Sequence, residues 1–576
     1  MAFRTLRRAS AASVIALYLL AVSGCGTTDP PENSGQPDVD AQQECQDLAA
    51  QVEDGEDSAD DRNDAGGETA DTFIFGSSAS PITLNPLHAS DSDSFRVAHQ
   101  IFETLVEAEP CGPGPSPLLA TDWTSSDDGK TFDFTLRDDV TFHDGTEFDA
   151  DVVCWNFEHW NNQPEGMAQS ADITYHWSTL FKGFGDDSIY ESCTTSGDSE
   201  VTIELNEPFA SFVNALAIPA FSMQSPEALE KWGQIEDGGD PTATEYATAH
   251  PTGTGPYQFS SWNRGTSVNL TAFDDYWDGP PKTPHVTIKT IEDPQARADA
   301  LRTGDVDAFD LVAPGDVPGL RDEDFTLIHR PSYNIQYLGM NQAAPPLDDL
   351  RVRQAIAHAI DREQLMKSTM TPGSEAANQF VPPVTNGYSD DVTEYEYDPE
   401  KARQLLEESG YEDLTIEFNY PTDVSRPYLP SPQDTFNQIR NDLQSVGITV
   451  VPVADQWSVY LSKIHGGEDH GIHVLGWTGE YNDADSFLGA KFSEETPEFG
   501  FTDQEVFDQL AEARGLPTPE EQEPAYQEAN EMIMDRLPGL PLGHGVPVLA
   551  LAPRVSGYVP SPVEDESWDT VTVREE

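Results

Sequence analysis

The sequence predicts an α/β protein built from more than one lobe. Its 576 residues exceed the roughly 100 to 200 residues of a typical domain. Strand patterns such as EVTIELN (200–206), with apolar residues at alternate positions, are interleaved with helical patterns such as DLRVRQAIAHAI (349–360) and DPEKARQLLEESG (398–410). Hydrophobic residues make up 37% of the chain, enough to form real cores.

The first 25 residues predict export. Three arginines precede an apolar run at 11–22, which is too short to span about 30 Å of hydrocarbon comfortably. The run ends in VSGC, and small residues before a cysteine resemble the bacterial lipobox. We therefore expect a signal peptide at 1–24 and a lipid on Cys25. An ordinary signal peptide with an incidental cysteine is the alternative.

Residues 25–70 predict a disordered, acidic tether between the lipid and the folded protein. They are rich in Asp, Glu, Gly, Pro, Ser and Gln and contain few large apolar residues. Such a segment cannot bury enough apolar surface to offset the entropy lost on ordering. The first strand pattern, TFIF, begins at Thr72.

The charge of the chain argues against nucleic acids as partners. The formal net charge is -73, from 103 Asp and Glu against 30 Lys and Arg. Such a surface repels the phosphates of nucleic acids and of anionic lipids. We expect no nucleic acid partner, and contact with the membrane only through the lipid anchor. The excess of acids resembles salt-adapted proteins, and an ordinary acidic extracellular surface is the alternative.

Four cysteines remain beyond Cys25, namely Cys45, Cys111, Cys154 and Cys193. In an exported chain they permit two disulfides in three connectivities. Pairing of Cys154 with Cys193 is favoured because the two flank one segment that has the pattern of a single subdomain. Cys45 with Cys111 then follows by exclusion. Buried free thiols are the alternative.

Motifs of catalysis and of cofactor binding are missing from the sequence. It has no Gly-x-Ser-x-Gly elbow, no Walker phosphate loop, no dinucleotide Gly-x-Gly-x-x-Gly after a strand and no His-Glu-x-x-His. The stretch HGGEDHGIH (465–473) holds residue types that bind Ni or Zn. Its two glycines favour a turn before the strand GIHVLGW instead. We expect no metal site and no cofactor.

Several motifs, taken in chain order, resemble the family 5 solute-binding proteins of ABC importers, the oligopeptide-, dipeptide- and nickel-binding group. The longest is PLLATDWTSSDDGKTFDFTLRDDVTFHDGTEFDADVV (117–153). It is followed by PTGTGPYQF (251–259), DDYWDGPP (274–281), YLGMNQAAPPLDDLRVRQAIAHAIDR (337–362), YDPEKARQLLEESGY (397–411) and GWTGEYNDADSFL (476–488). The similar stretches cover roughly residues 72 to 550 in the family's order.

The resemblance implies a two-lobed clamshell like that of periplasmic binding proteins, with mixed sheets and a ligand buried between lobes that close about a hinge. The bounds that it implies are 71–329 with 546–576 for lobe I, about 111–204 for an extra subdomain inserted in lobe I, and 330–545 for lobe II. Hinge strands are expected near Tyr333 and at 543–546.

The motif GWTGEYNDADSFL carries the predicted ligand site. In peptide-binding members, Trp-x-x-Asp-x-x-(Asp/Glu)-Pro supplies an Asp that pairs with the α-amino group of the peptide. Trp477, Glu480 and Asp483 take the positions of the Trp and of the two acids, with Glu for Asp at 480 and Ala484 for Pro. A carboxylate that faces an ammonium group in a poorly hydrated cleft makes a strong, charge-assisted contact.

Further binding residues are expected beside this motif. Tyr481 and Trp457 would line an aromatic pocket, with core packing as the alternative for Trp457. Tyr333 and Asn334 begin the strand SYNIQYLGMN (332–341), whose edge is expected to pair with a peptide backbone.

The resemblance implies a transport receptor rather than an enzyme. We expect a monomeric, lipid-anchored substrate-binding protein on the extracellular face of the cytoplasmic membrane. It would capture a peptide and deliver it to an ABC permease driven by its ATPase subunits. A nickel chelate or an oligosaccharide is the alternative ligand within the family. A secreted hydrolase is the alternative from another class.

Overall fold

The computed structural model describes residues 39–53, 69–112, 114–163, 174–235, 239–411, 414–466 and 470–575. The predicted signal peptide, Cys25 and most of the predicted tether lie outside these ranges. Within them, no helix combines the length and the apolar character needed to cross a membrane.

The elements up to residue 329 mix strands with short helices. In chain order they are α1 (Ala41–Glu53), β1 (Thr72–Ser77), α2 (Ser92–Ile101), β2 (Val106–Ala108), β3 (Pro115–Pro117), β4 (Ala120–Ser125), β5 (Thr131–Leu136), α3 (Ala150–Asn161), α4 (Tyr175–Leu180), β6 (Tyr190–Thr195), β7 (Glu200–Leu205), α5 (Phe212–Ala215), α6 (Pro226–Trp232), α7 (Glu245–Ala249), β8 (Tyr257–Asn263), β9 (Ser267–Ala272), β10 (His285–Thr290), α8 (Pro294–Thr303), β11 (Ala308–Phe309), α9 (Val317–Asp322) and β12 (Thr326–His329).

The remaining elements contain the longest helices of the described chain. They are β13 (Asn334–Met340), α10 (Leu350–Ala359), α11 (Arg362–Thr369), β14 (Glu375–Ala376), α12 (Pro399–Ser409), β15 (Thr415–Pro421), α13 (Pro432–Ser445), β16 (Thr449–Asp455), α14 (Trp457–His465), β17 (Ile472–Thr478), α15 (Gly489–Phe492), α16 (Gln504–Arg514), α17 (Pro519–Arg536), β18 (Gly539–His544), β19 (Val548–Leu551), β20 (Val555–Ser556) and β21 (Thr572–Val573).

Lobe I is built on a seven-stranded mixed sheet with the order β12-β19-β11-β1-β10-β9-β8. Strand β1 pairs in parallel with both β10 and β11, whereas β19 pairs antiparallel with β11 and β12. Because β19 comes from the C-terminal part of the chain, this lobe is discontinuous in sequence. Its core contains Phe73, Phe75 and Trp568, with the Phe75 and Trp568 rings stacked 4.9 Å apart.

A second, four-stranded antiparallel sheet with the order β4-β5-β7-β6 has a core of its own. Helix α3 packs on it through Phe157 and Trp160, which belong to the same buried cluster. That cluster extends to Met223, beyond the predicted end of the subdomain at 204. The alternation of Phe132, Phe134 and Leu136 in β5 buries one face of the strand, as a half-buried strand requires.

Lobe II is built on a six-stranded mixed sheet with the order β14-β18-β13-β17-β15-β16. Its central strand β13 pairs antiparallel with β17 and β18, and all seven of its residues are buried. The helix predicted from DPEKARQLLEESG is confirmed as α12. Asp398 accepts hydrogen bonds from the amides of Glu400 and Lys401, and Gly410 ends the helix at φ 82°. The sheets and helices confirm the predicted α/β class.

The chain crosses between the two large sheets at two neighbouring segments. One joins β12 to β13 through 330–333, and the other joins β18 to β19 through 545–547. Asn334 connects them, because its side-chain amide donates to the Gly545 carbonyl at 2.8 Å and its amide oxygen accepts from the Gly545 amide at 2.9 Å. Both crossings lie where hinge strands were expected.

Part of the predicted tether is folded, which corrects the prediction for 39–53. Residues 41–53 form α1, and this helix packs on β12. Its Cys45 is fully buried and bonded to Cys111, while Glu44 lies 2.8 Å from His329 Nδ1. The covalent link explains how a polar segment is held without a large apolar face of its own.

Both disulfides connect the pairs that the sequence analysis favoured. Cys45 is joined to Cys111, with Cα atoms 5.6 Å apart, and Cys154 is joined to Cys193, at 5.2 Å. The second bond fastens α3 to β6 on the four-stranded sheet.

Candidate functional site

A cavity of about 390 Å³ lies between elements of lobe I, lobe II and the C-terminal segment. Its walls are formed by the residues around α2, by His176, by 217–219, by the loop 426–428, by α14, by 477–481 and by 563–565. Cavities of this size are typical of small-molecule sites, which are mostly apolar with a few polar groups in fixed positions.

The end of β17 supplies an indole and a carboxylate to the wall. The Trp477 indole nitrogen donates to the Ser486 carbonyl at 2.7 Å, and the Lys491 ammonium lies 4.3 Å from the ring centroid. The Glu480 amide donates to the Ser486 hydroxyl at 2.9 Å, which holds the backbone and leaves the carboxylate directed at the cavity. This carboxylate is 24% exposed.

The loop between β15 and α13 supplies a cation that the sequence analysis missed. The Arg426 guanidinium lies 5.0 Å from the Trp457 ring centroid, and its Nε is buried without a hydrogen-bond partner among the described residues. Paired backbone hydrogen bonds between Arg426 and Leu429 hold the loop. No local signal in the sequence marks Arg426, because most arginines of the chain also lack an adjacent acidic residue.

One face of α2 forms the opposite wall. Asp91, Phe95 and His99 recur every four residues and all line the cavity, as neighbouring positions on a helix must. Asp91 is the N-cap of the helix, where its Oδ1 accepts from the Ser94 amide at 2.9 Å. Its Oδ2 is buried and has no hydrogen-bond partner among the described residues.

His176 approaches Glu480 from lobe I. Its Nδ1 lies 3.7 Å from the Glu480 carboxylate, and its ring lies 5.5 Å from that of Phe95. The side chain is only 5% exposed, yet neither ring nitrogen has a hydrogen-bond partner among the described residues. A buried polar group without a partner is costly, so it marks a place where a ligand would be held.

The family model of the bacterial extracellular solute-binding proteins, family 5, matches residues 114–498. The chain belongs to this family. The resemblance stated from the motifs is thus confirmed, as is the two-lobed fold. Family 5 proteins are extracytoplasmic receptors of ABC importers and not enzymes, so the hydrolase alternative is wrong for this solute-binding protein.

Relatives of this solute-binding protein match it over nearly their whole length. The dipeptide-binding protein of Escherichia coli K12 is 29% identical over 518 residues, which are 88% of this chain and 95% of the relative. A glutathione-binding protein of Salmonella paratyphi A is 30% identical, over 85% and 92% of the two chains. The dipeptide-binding protein of Pseudoalteromonas sp. SM9913, solved with Met-Leu, has a TM-score of 0.74 and 25% identity, over 88% and 100%.

Four of the predicted binding residues line the cavity of this solute-binding protein: Trp477, Glu480, Tyr481 and Trp457. Trp457 begins α14 and is partly buried beside the lobe II core. Its side chain therefore packs against that core and also lines the cavity. Tyr481 follows β17 in lobe II, yet its side chain packs in the core of the four-stranded subdomain. That residue therefore joins the two sides of the cleft.

The other three predicted residues do not line the cavity, and their hydrogen bonds explain why. Asp483 is buried, accepts from the Ser211 hydroxyl and caps the turn at 484–486 through the Asp485 amide at 2.7 Å. The Tyr333 hydroxyl donates to the Tyr481 carbonyl at 2.6 Å. The Asn334 side chain is engaged with Gly545, and its strand β13 is paired on both edges. In this structure these contacts hold the three side chains within the protein.

The histidine-rich stretch is only partly described, since Glu468 and Asp469 lie outside the described residues. His473 is fully buried in β17, with Nε2 3.3 Å from the Glu498 carboxylate, and burial lowers its pKa. His465, at the end of α14, lies 3.6 Å from the same carboxylate. The predicted strand after the turn is confirmed, beginning at Ile472.

Proposed function

We propose that this solute-binding protein captures a short peptide between its lobes and delivers it to an ABC permease. One observation carries the proposal: a carboxylate, Glu480, and a guanidinium, Arg426, open on the same cavity. A peptide with free ends carries an ammonium and a carboxylate, and each would find a charge of the opposite sign there.

Two further facts support a peptide ligand. A cavity of about 390 Å³ suits a small ligand, and Trp457 with Trp477 gives it apolar walls. The protein's relatives include dipeptide-binding and glutathione-binding proteins. Glu480 takes the position of the acid that binds the peptide amine in the family's motif, so the same role is assigned to it.

We also propose where the protein acts and which subunits it works with. The signal at 1–24 and the lipid on Cys25 would place a monomer on the extracellular face of the cytoplasmic membrane, with its permease and ATPase subunits as partners. Lobe I would comprise 71–329 and 546–576, and lobe II 330–545, as the membership of the two large sheets supports.

Isothermal titration calorimetry of the mature chain tests the proposal, using Ala-Leu, its N-acetyl form and its C-terminal amide. We expect Ala-Leu to bind best. Glu480→Gln should weaken Ala-Leu about tenfold or more, because a charge-assisted hydrogen bond is lost, while the N-acetyl peptide changes little. Arg426→Gln should weaken Ala-Leu and leave the amide little changed.

A thermal-shift panel of peptides, metal chelates and oligosaccharides tests the peptide ligand against the alternative ligands. A ligand that binds only the folded state stabilises it by RT ln(1 + [L]/Kd). The peptide assignment is wrong if a nickel chelate or an oligosaccharide stabilises the protein and none of the peptides does.

A further inference from the structure

Asp91 is one of two acids of the cavity, with Glu564, that keep a buried carboxylate oxygen without a hydrogen-bond partner among the described residues. Its Oδ1 is used by the helix cap, but Oδ2 is buried without a hydrogen-bond partner among the described residues. Burial raises the pKa of the Asp91 carboxyl, while the hydrogen bonds from Ser94 and the charge of Arg426 oppose that rise. Asp91 and Arg426 line the same cavity, although they belong to different lobes.

The contacts along α2 give the order of the charged groups. Asp91 caps the N-terminal end of the helix, and the Arg426 charge on the opposite lobe acts on its carboxyl across the shared cavity. One turn further, about 6 Å along the axis, Phe95 contacts His176, which in turn faces Glu480. The cavity thus offers Glu480, suited to an ammonium group, and Arg426, suited to a carboxylate, with Asp91 one helical turn from the Phe95 and His176 contact and with Glu564 and Asp565 in the same lining.

A ligand carboxylate bound at Arg426 would bring a second negative charge towards Asp91. The two carboxylates would share one guanidinium in a poorly hydrated site, which favours a second cation close by. In a peptide, the side chain nearest to the terminal carboxylate is that of the last residue. A lysine or arginine there supplies donors to the free Oδ2 from the same molecule that brings the carboxylate.

We propose that Asp91 selects dipeptides whose C-terminal residue carries a cationic side chain. This inference rests on the proposed function, since it assumes that a peptide carboxylate meets Arg426. Asp91 acts as a specificity-determining residue that binds the ligand side chain. The acidic surface of the whole protein also attracts cationic ligands, which aids their approach but does not distinguish one end of the ligand from the other.

Calorimetry with Ala-Lys, Ala-norleucine and Ala-Glu on the mature chain tests the inference. Norleucine keeps the alkyl chain of lysine and removes the charge. We expect Ala-Lys to bind about tenfold or more tightly than Ala-norleucine, and Ala-Glu to bind most weakly. Asp91→Asn should remove most of the preference: Ala-Lys loses its partner carboxylate and binds more weakly, while Ala-norleucine, whose own carboxylate no longer faces the Asp91 charge, binds as tightly as before or more tightly.

The controls separate charge from helix capping. Asn and Ser both cap helices well, so Asp91→Asn and Asp91→Ser should give the same loss of preference while both proteins stay folded. Asp293→Asn is the matched control: Asp293 is the exposed N-cap of α8, accepts from the Ala296 amide at 2.8 Å, and lies outside the cavity. It should leave both affinities unchanged.

Three results would overturn the inference. Equal binding of Ala-Lys and Ala-norleucine to the unaltered protein removes the preference while the peptide function stands. Equal weakening of both peptides by Asp91→Asn makes Asp91 a structural residue. If none of the dipeptides binds, the peptide function fails and this inference fails with it.

Discussion

At the scale of single residues, a buried group of opposite charges holds the C-terminal segment in place. Arg330, in the first crossing segment, donates through Nε to the Glu566 carboxylate at 3.0 Å, and both side chains are 1% exposed. Arg96 on α2 pairs with Asp310 and lies 3.9 Å from Glu566. Because 563–565 form part of the cavity wall, these pairs position a ligand-facing segment as well as the fold.

Removing one member of this group should be costly. Glu566→Gln leaves Arg330 buried with a weakened partner, and we expect the free energy of unfolding to fall by about 3 kcal/mol in urea denaturation. Glu207→Gln is the control, since Glu207 pairs with Lys182 at the surface and both are about half exposed. That change should cost less than about 1 kcal/mol. Equal effects would show that burial does not strengthen the inner pair.

At the scale of secondary-structure elements, local signals and the two disulfide pairs were predicted correctly, whereas the other distant contacts were not. The cap, first-turn proline and terminal glycine of α12 are adjacent in sequence, so its bounds were predictable. Helix α1 was missed because its stability depends on Cys111, 66 residues away. Likewise, Glu480 and Trp477 were found through a local motif, whereas Arg426, Asp91 and His176 face the cavity only after three distant segments fold together.

The attachment of α1 to lobe I should depend on its disulfide. Replacing Cys45 and Cys111 together by alanine removes a cross-link between residues 66 apart, and we expect a loss of about 2 to 4 kcal/mol in the free energy of unfolding. The double substitution should also increase the rate of amide hydrogen exchange, and the increase should be larger in α1 than in β12. Unchanged exchange in α1 would mean that its contacts with β12, including that of Glu44 with His329, suffice to hold it.

At the scale of the whole molecule, a loop of lobe II reaches into the four-stranded subdomain. The Tyr481 side chain is buried in the core of that subdomain, the Asn214 amide donates to the Asn482 carbonyl at 2.8 Å, and Ser211 donates to Asp483. These contacts cross the cleft beside Glu480, and we expect them to form as the lobes close on a ligand. Opening the cleft would return Asp483 to water.

Closure should therefore be linked to pH through Asp483. Burial, with the neighbouring Asp485 charge, raises the pKa of Asp483 from 3.8 to about 7, although Ser211 and Arg514 oppose the rise. The closed form then holds a proton that an open, hydrated Asp483 releases near pH 4. This stabilisation of closure is complete below pH 4 and is lost as pH rises through about 7, by up to about tenfold per pH unit.

Asp483→Asn imitates the protonated carboxyl and can still accept from Ser211. We expect it to raise the ligand affinity at pH 8, since closure no longer buries a carboxylate beside Asp485, and to flatten the fall in affinity between pH 4 and pH 7. Calorimetry across this range, with small-angle scattering to follow compaction on binding, provides the measurement. Asp299→Asn, at an exposed position on α8, should keep the original pH profile. A variant at 483 with the same profile as the unaltered protein would place the pH-dependent group elsewhere in the cleft.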